Sequence, residues 1–463
     1  MTKKILIILQ IAVFTSLISC DSDNKDTTTY FGGKIINPKS NQVILYTMEK
    51  VIDTFFLDAK HKFMGKIKNA NEGLYYFTHG NENQYVYIEP EDSLMIRLNT
   101  WDFDESLVFA GKGAERNNIL IDCFLENEND RKLFYQFSKF SPEDYKNKAD
   151  SLLTLKMHTY NDYIENHQEE TIGYKEILKT ALTFPIYERL ERYPYVNAKY
   201  SDNNNFPELN ESFYNFRENI SMNKDSLMYF PPYSRYIRNY LYNETYALGH
   251  PPMKTEYSSK FTIDLLNTID KNITLDRTKN AILRQTIINH FYNNSSCNIN
   301  KDAFDTFLKL STNKKDKNLV ESLVSDAKTV SANKNLPNFN LTNYSNTDHK
   351  IFDIIRNNNT LLFFWDPNYV SHNYVVSRMN YLSNNYRNIK FIQVKIDGDH
   401  NDRIKRLDIK SQYYLKDNSD AHEFLTSKMP RAILVNKYGT VVNGYASISS
   451  KNLNSYLNEL NKN

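Results

Sequence analysis

The sequence predicts a multidomain protein in which an N-terminal all-β sandwich and a middle all-α array precede a C-terminal α/β domain. Three observations support this order: short β-prone runs before residue 112, apolar residues at three- and four-residue spacing as far as residue 330, and alternating strand and helix signals after that point. A chain of 463 residues is too long for a single hydrophobic core and should divide into about three units.

The first 28 residues are predicted to be a secretory leader followed by a tether. Residues 5–17 form an almost continuous apolar run that is too short to span a bilayer, as in a signal peptide. The run ends in Leu17-Ile18-Ser19-Cys20, which resembles the lipobox of bacterial lipoproteins. The resemblance implies that residues 1–20 are a lipoprotein signal, with cleavage before Cys20 and acylation of Cys20 by fatty acids such as palmitate. Residues 21–28 are too polar to bury themselves and are expected to form a tether.

The charge balance gives no reason to expect a nucleic-acid partner. Removal of the leader takes away Lys3 and Lys4 and no acidic residue, so the formal net charge falls from +2 to zero. No Lys/Arg-rich stripe is visible along the chain. The lipid on Cys20, and not a basic patch, is therefore expected to attach the protein to the membrane. The expected location is the cell envelope, either on the periplasmic face of the outer membrane or at the cell surface.

Residues 29–112 are predicted to form the β-sandwich. Short runs of β-branched and aromatic residues are separated by Gly, Pro, Asn and Asp at strand-like intervals. The predicted strands cover residues 42–46, 54–57, 74–77, 85–88 and 94–98.

Residues 113–335 are predicted to form a helical domain that acts as a spacer or platform. Ser141 followed by Pro142 is a predicted helix start, while Pro194 and Pro231-Pro232 are predicted breaks. The spacing of apolar residues predicts helices over residues 151–164, 177–190, 233–246, 261–269, 281–291 and 304–310.

Residues 336–463 are predicted to form an α/β unit with a mixed sheet, because strand and helix signals alternate and a hairpin follows. The predicted strands cover residues 361–365, 389–396, 432–435 and 440–442, and the predicted helices cover residues 374–386 and 453–460.

Four motifs in this last segment occur together in a recognisable order. They are Leu336-Pro337-Asn338-Phe339, the run from Leu361 to Trp365-Asp366-Pro367, Met429-Pro430-Arg431-Ala432, and the hairpin glycine Gly439. This combination resembles the TlpA-type thioredoxin-like lipoproteins of Bacteroidetes type, in which a small β domain often precedes the thioredoxin-like domain. The resemblance implies a thioredoxin-like fold for residues 336–463 and a cis-proline loop at Pro430.

The redox motif of that family is degenerate here. In family members Trp-Asp-Pro is followed by one residue and then by Cys-x-x-Cys, and these two cysteine positions fall on Tyr369 and His372. Disulfide exchange needs a thiolate at a helix N-terminus and a second, resolving thiol. Neither Tyr369 nor His372 carries sulfur, and Cys123 and Cys297 lie outside the segment. We therefore predict no catalytic residue at this helix.

The sequence favours a non-catalytic role, in which the protein binds or scaffolds an envelope protein or an extended peptide. The candidate docking residues are Trp365, Tyr369, His372, Met429 and Pro430. The competing prediction, from the cysteine-bearing relatives, is a thiol–disulfide oxidoreductase or another enzyme of cell redox homeostasis. Capture of a small molecule in the vacated groove is also open. No cofactor is expected, and the ten His residues show no metal-ligand spacing, so no metal is expected either.

Overall fold

The computed structural model describes residues 28–48, 50–200, 205–252, 256–294, 299–397, 402–450 and 452–462. The predicted leader, the predicted acylation site Cys20, and Cys297 therefore lie outside the described residues. The chain divides into two compact units: one holds the described residues of Met1–Tyr200, Pro207–Glu218 and Ser226–Ile237, and the other holds those of Ser201–Phe206, Asn219–Asp225 and Arg238–Asn463. The domain boundaries predicted at residues 112 and 335 stay predictions. Within the described ranges no helix is long and apolar enough to cross a membrane.

The first unit begins with two four-stranded sheets. One has the order β4-β1-β7-β8, with only β1 and β7 parallel, and the other has the antiparallel order β3-β2-β5-β6. Side chains from both sheets, among them Phe31, Val43, Phe77 and Leu94, form one buried apolar cluster, as in a sandwich. The strands are β1 (Thr29–Ile36), β2 (Gln42–Tyr46), β3 (Val51–Phe56), β4 (Lys62–Ile67), β5 (Gly73–His79), β6 (Glu82–Ile88), β7 (Ser93–Asn99) and β8 (Val108–Ala110).

All five predicted runs in this segment are strands, whereas β1, β4 and β8 had no clear sequence signal. Glycines interrupt the apolar alternation of β1 at Gly32 and Gly33 and that of β4 at Gly65. At Gly65 an added Cβ would lie 1.8 Å from the Phe55 ring, so this strand needs glycine for sheet-to-sheet packing.

Helices follow the sandwich, and two local predictions can be checked in them. Ser141 caps its helix as predicted, because its side chain accepts a hydrogen bond from the Asp144 amide. The predicted break at Pro194 is wrong: Pro194 and Pro185 both lie inside a helix that is buried along most of its length, and this burial outweighs their helix-breaking effect. The helices are α1 (Ala114–Phe137), α2 (Pro142–Asn166), α3 (Ile172–Tyr200) and α4 (Pro231–Tyr246), with 3-10 turns at Glu211–Asn219 and Asp225–Leu227 between the last two.

In the second unit, four further helices precede the C-terminal α/β part. They are α5 (Ser259–Asn272), α6 (Asp276–Asn294), α7 (Lys301–Leu310) and α8 (Lys314–Thr329). The elements that follow are β9 (Asn340–Thr342), β10 (Asp348–Lys350), α9 (Ile351–Ile355), β11 (Asn359–Trp365), α10 (His372–Asn385), β12 (Ile389–Lys395), α11 (Asp402–Lys405), β13 (Gln412–Tyr414), a 3-10 turn (Asp420–Phe424), β14 (Arg431–Val435), β15 (Val441–Ala446) and α12 (Leu453–Lys462).

The predicted mixed sheet of the C-terminal segment is confirmed and has seven strands in the order β10-β9-β13-β12-β11-β14-β15. Strand β11 is central: it pairs in parallel with β12 and antiparallel with β14. Its side chains alternate between two buried clusters, with Phe364 on one face of the sheet and Trp365 on the other. Strands β9, β10 and β13 were not predicted, because three-residue strands are too short to show a period.

Candidate functional site

Strand β11 leads directly into the candidate site. It ends at Trp365, and the buried Asp366 then builds the turn: its Oδ1 accepts from the Asn368 amide at 2.8 Å, and its carbonyl accepts from the Tyr369 amide at 3.0 Å. Ser371 is the N-cap of α10, with its hydroxyl accepting from the Tyr374 amide at 3.3 Å. The backbone amides of the first turn of α10 are thus partly paired within the chain itself.

The two positions that correspond to the redox cysteines lie at this turn. Tyr369 comes three residues before the helix and is 51% exposed, while His372 is the first residue of α10 and is half-buried. No sulfur atom is present at either position. In the first unit Cys123 is buried, and burial raises the pKa of its thiol to about 12, so it stays protonated and unreactive at neutral pH.

The loop that carries Pro430 differs from the expected one. No peptide bond in the described ranges is cis, so the Met429–Pro430 bond is trans. The chain turns at Lys428, two residues before Pro430. Lys428 is in the left-handed region at φ 55°, and its amide donates to the Leu425 carbonyl at 3.0 Å. A local turn at Lys428 thus takes the place of the cis peptide that the family resemblance implied.

Two helices of the same unit hold this loop. The Tyr292 hydroxyl of α6 donates to the Pro430 carbonyl at 2.9 Å. The carboxylate of Asp326 in α8 is 1% exposed and accepts four hydrogen bonds, from the amide and hydroxyl of Thr426 and from the amide and hydroxyl of Ser427. The loop is therefore fixed from outside the seven-stranded sheet.

A groove of about 360 Å³ opens between the Pro430 loop and the start of α10. Its far wall is the segment after β15, where Tyr374 and Ser449 hydroxyls are 2.6 Å apart and the Arg378 guanidinium donates to the Ile448 carbonyl at 2.7 Å. None of the lining residues is charged. They are Tyr292, Asn293, Phe363, Tyr369, Val370, Tyr374, Met429, Pro430, Ser447, Ile448, Ser449 and Ser450.

The groove brings together three of the five predicted docking residues: Tyr369, Met429 and Pro430. The other two do not line it. Trp365 is fully buried in the cluster beneath α10, and His372 lies on the first turn of that helix without reaching the groove. The residues that sequence reasoning missed, such as Tyr292 and Ser449, come from segments far apart in the chain and carry no motif of their own.

No group of His, Cys, Asp and Glu side chains in the described residues could hold a metal ion. No protein-family model matches the sequence. No curated protein matches it either.

Solved structures similar to parts of this chain are thioredoxin-like proteins. A putative thiol-disulfide oxidoreductase from Bacteroides vulgatus is 19% identical, with 28% of this chain and 98% of that chain covered and a TM-score of 0.25. A putative thiol:disulfide interchange protein DsbE from Chlorobium tepidum is 16% identical, with 28% and 99% covered and a TM-score of 0.25. A thioredoxin-like protein from Bacteroides caccae is 17% identical, with 47% and 87% covered and a TM-score of 0.26. Likenesses this partial establish no activity for the chain.

Proposed function

We propose that this chain is a lipid-anchored protein of the bacterial cell envelope whose C-terminal part is a redox-inactive thioredoxin-like domain that binds an extended peptide or protein segment. The observation that carries the proposal is the uncharged groove beside Tyr369, at the position where the thioredoxin-like proteins that the sequence resembles carry a reactive thiol. The anchor rests on the lipobox-like Leu17-Ile18-Ser19-Cys20.

The chemistry of the groove suits a peptide. Tyr292, Tyr369 and Tyr374 offer broad aromatic surfaces with few rotatable bonds, so little conformational entropy is lost when they make contact. The serine hydroxyls and the Asn293 amide can both donate and accept hydrogen bonds, which matches the alternating polar groups of a peptide backbone. Because no charged side chain lines the groove, we expect a neutral segment to bind.

The walls of the groove are held in place before a ligand arrives. Asp326 and Tyr292 hold the Pro430 loop, and Arg378 holds the segment that contains Ser449. A wall that is already ordered loses little further entropy on binding, so modest contacts can yield measurable affinity.

The competing function, thiol–disulfide exchange, is the putative activity given for two of the similar structures, and it requires sulfur at the start of α10. We expect the mature chain to leave the rate of insulin reduction by dithiothreitol unchanged. A rate increase that disappears in a Cys297→Ser variant would assign a redox role to Cys297 and contradict the proposal.

The binding proposal can be tested by selecting from a displayed library of short peptides against the mature chain and measuring the selected peptides by calorimetry. Truncation of a central contact residue commonly costs more than about 1 kcal/mol, so Tyr369→Ala should weaken binding by about tenfold. The matched control is Tyr438→Ala, which removes an exposed tyrosine between β14 and β15 that does not line the groove. Selection of no peptide, or equal affinities for both variants, would refute the proposal.

The anchor has a separate test. Cys20→Ala should leave the protein unacylated by mass spectrometry and release it from the membrane fraction of its own cells. If the variant still carries the acyl mass and remains in the membrane fraction, the lipoprotein part alone is contradicted.

A further inference from the structure

The outer face of the sheet β4-β1-β7-β8 collects basic residues from three strands. Lys34 in β1 lies opposite Lys62 in β4 and beside Arg97 in β7, so three cations form one row across neighbouring strands. Lys66 lies near the other end of β4, and its ammonium is 5.4 Å from the centre of the Tyr30 ring. We call these four residues, Lys34, Lys62, Lys66 and Arg97, the basic face.

No carboxylate balances this charge on the face. The outward positions of the four strands contain no Asp or Glu, and none of the four cations takes part in an ion pair within the described part of the chain. Asp58, in the turn before β4, accepts the amides of Lys60 and Lys62, and its carboxylate offsets part of the charge of Lys62 at the edge of the face. Like charges directly opposite each other destabilise a sheet, so this arrangement has a cost that binding to a polyanionic surface would offset.

The centre of the same face is apolar. Met64 is 60% exposed, and the sulfur atoms of Met64 and Met95 both lie over Gly32, where an added Cβ would be 2.8 and 3.2 Å from them. A surface with cations around exposed apolar side chains suits the boundary between lipid head groups and acyl chains. Nucleic-acid binding relies mainly on contacts with phosphates and base edges, which would leave the exposed methionine at the centre of this face without a matching apolar partner.

The position of the face in the chain points to the same partner. Strand β1 begins at Thr29, nine residues after Cys20, and nine residues reach at most about 32 Å when fully extended. An acyl chain on Cys20 would thus keep β1 within this distance of the head groups. The local concentration of membrane surface around the basic face would then be high, and weak attraction would suffice to dock it.

We propose that the basic face docks on the anionic phospholipid head groups of the leaflet that holds the lipid on Cys20, so that the first unit lies against the membrane. The proposal rests on the lipid anchor of the proposed function, but the attraction is a property of the folded face itself. It can therefore be measured on a chain that carries no lipid.

The test uses the full mature chain without acylation and vesicles of phosphatidylcholine with or without phosphatidylglycerol. The test variant is Lys34→Gln, Lys62→Gln and Arg97→Gln together. The control variant is Lys132→Gln, Lys139→Gln and Lys148→Gln, which removes the same charge from exposed positions on α1, on α2 and between these helices. Thermal unfolding of each variant checks that the fold is kept.

We expect the mature chain to bind only the vesicles with phosphatidylglycerol and to lose this binding at high salt. Each cation near an anionic surface contributes about fivefold to binding, so the test variant should bind about a hundredfold more weakly and the control only slightly more weakly. Equal binding to both kinds of vesicle, or equal loss in both variants, would overturn the proposal. Tighter binding to duplex DNA than to the anionic vesicles would also overturn it, because the face would then serve a soluble polyanion. Intact vesicle binding of this chain, together with an unacylated Cys20 in the protein isolated from its own cells, would contradict only the anchor.

Discussion

Replacing Asp326 with alanine should strongly destabilise the second unit. The Asp326 side chain accepts from the Thr426 amide at 2.9 Å and hydroxyl at 2.7 Å, and from the Ser427 amide at 2.9 Å and hydroxyl at 2.7 Å. Thr426 is exposed, so water can replace its two hydrogen bonds. Ser427 is 5% exposed, so its two donors would stay buried without an acceptor.

The expected magnitude follows from those two donors. Each buried donor that loses its acceptor costs about 1–3 kcal/mol, so Asp326→Ala should lower the free energy of unfolding by about 4 kcal/mol. The chain has two tryptophans, of which Trp365 is fully buried in the second unit and Trp101 is in the first. In a Trp101→Phe background the emission of Trp365 reports urea unfolding of the second unit, and the midpoint should fall by about 2 M.

The control for this prediction is Asp305→Ala, which removes an exposed carboxylate from α7 and should change the free energy by no more than about 0.5 kcal/mol. An effect of Asp326→Ala below about 1 kcal/mol, or one equal to that of the control, would refute the idea that this carboxylate holds the Pro430 loop. The same variant should weaken peptide binding in the groove, because the loop loses its fixed position.

Three further predictions concern single side chains. Ser371→Ala removes the N-cap of α10 and should lower the free energy of unfolding by about 1 kcal/mol in urea titrations. An unchanged free energy would contradict a stabilising hydrogen bond from the Tyr374 amide to Ser371. Gly444→Ala would place a Cβ 1.8 Å from the Val330 carbonyl oxygen, so the free energy of unfolding should fall by at least about 3 kcal/mol. A melting temperature equal to that of the native chain would contradict this close packing. Burial raises the pKa of Asp92 to about 6, above its unfolded value near 4, so the native chain keeps a proton that the unfolded chain releases. Stability should therefore fall by about 2 kcal/mol as the pH rises from 4 to 6, and Asp92→Asn should flatten this slope in urea titrations followed by circular dichroism across that range.

Much of the local structure could be read from the sequence because it depends on short-range patterns. The run at 361–365 is apolar throughout and β-prone, and it is the central strand β11. Ser141 before Pro142 predicted a capped helix start, which depends only on a side chain and an amide three residues apart. The prediction of a helix break at Pro194 failed because it considered only the local effect of proline. The burial that overrides this effect comes from distant parts of the unit.

At the candidate site, too, some features follow from the sequence and others only from the fold. The absence of sulfur at Tyr369 and His372 is a fact of composition, and no folding can change it. Whether those residues share a surface is a tertiary matter: Tyr369 lines the groove, while Trp365, four residues earlier, is in the core because both faces of β11 are covered by other parts of the unit.

The sequence by itself determined the order of β, α and α/β segments, the lipobox-like Cys20 and the lack of a redox cysteine pair at α10. The tertiary structure alone decided which surfaces exist. Tyr292 meets Pro430 across 138 residues, and Lys34, Lys62 and Arg97 form one row although no two of them are near in the chain. No Lys/Arg-rich stripe is visible along the sequence, because the three residues come together only when their strands pair. Strand pairing, not sequence proximity, sets the distance between charges in a sheet.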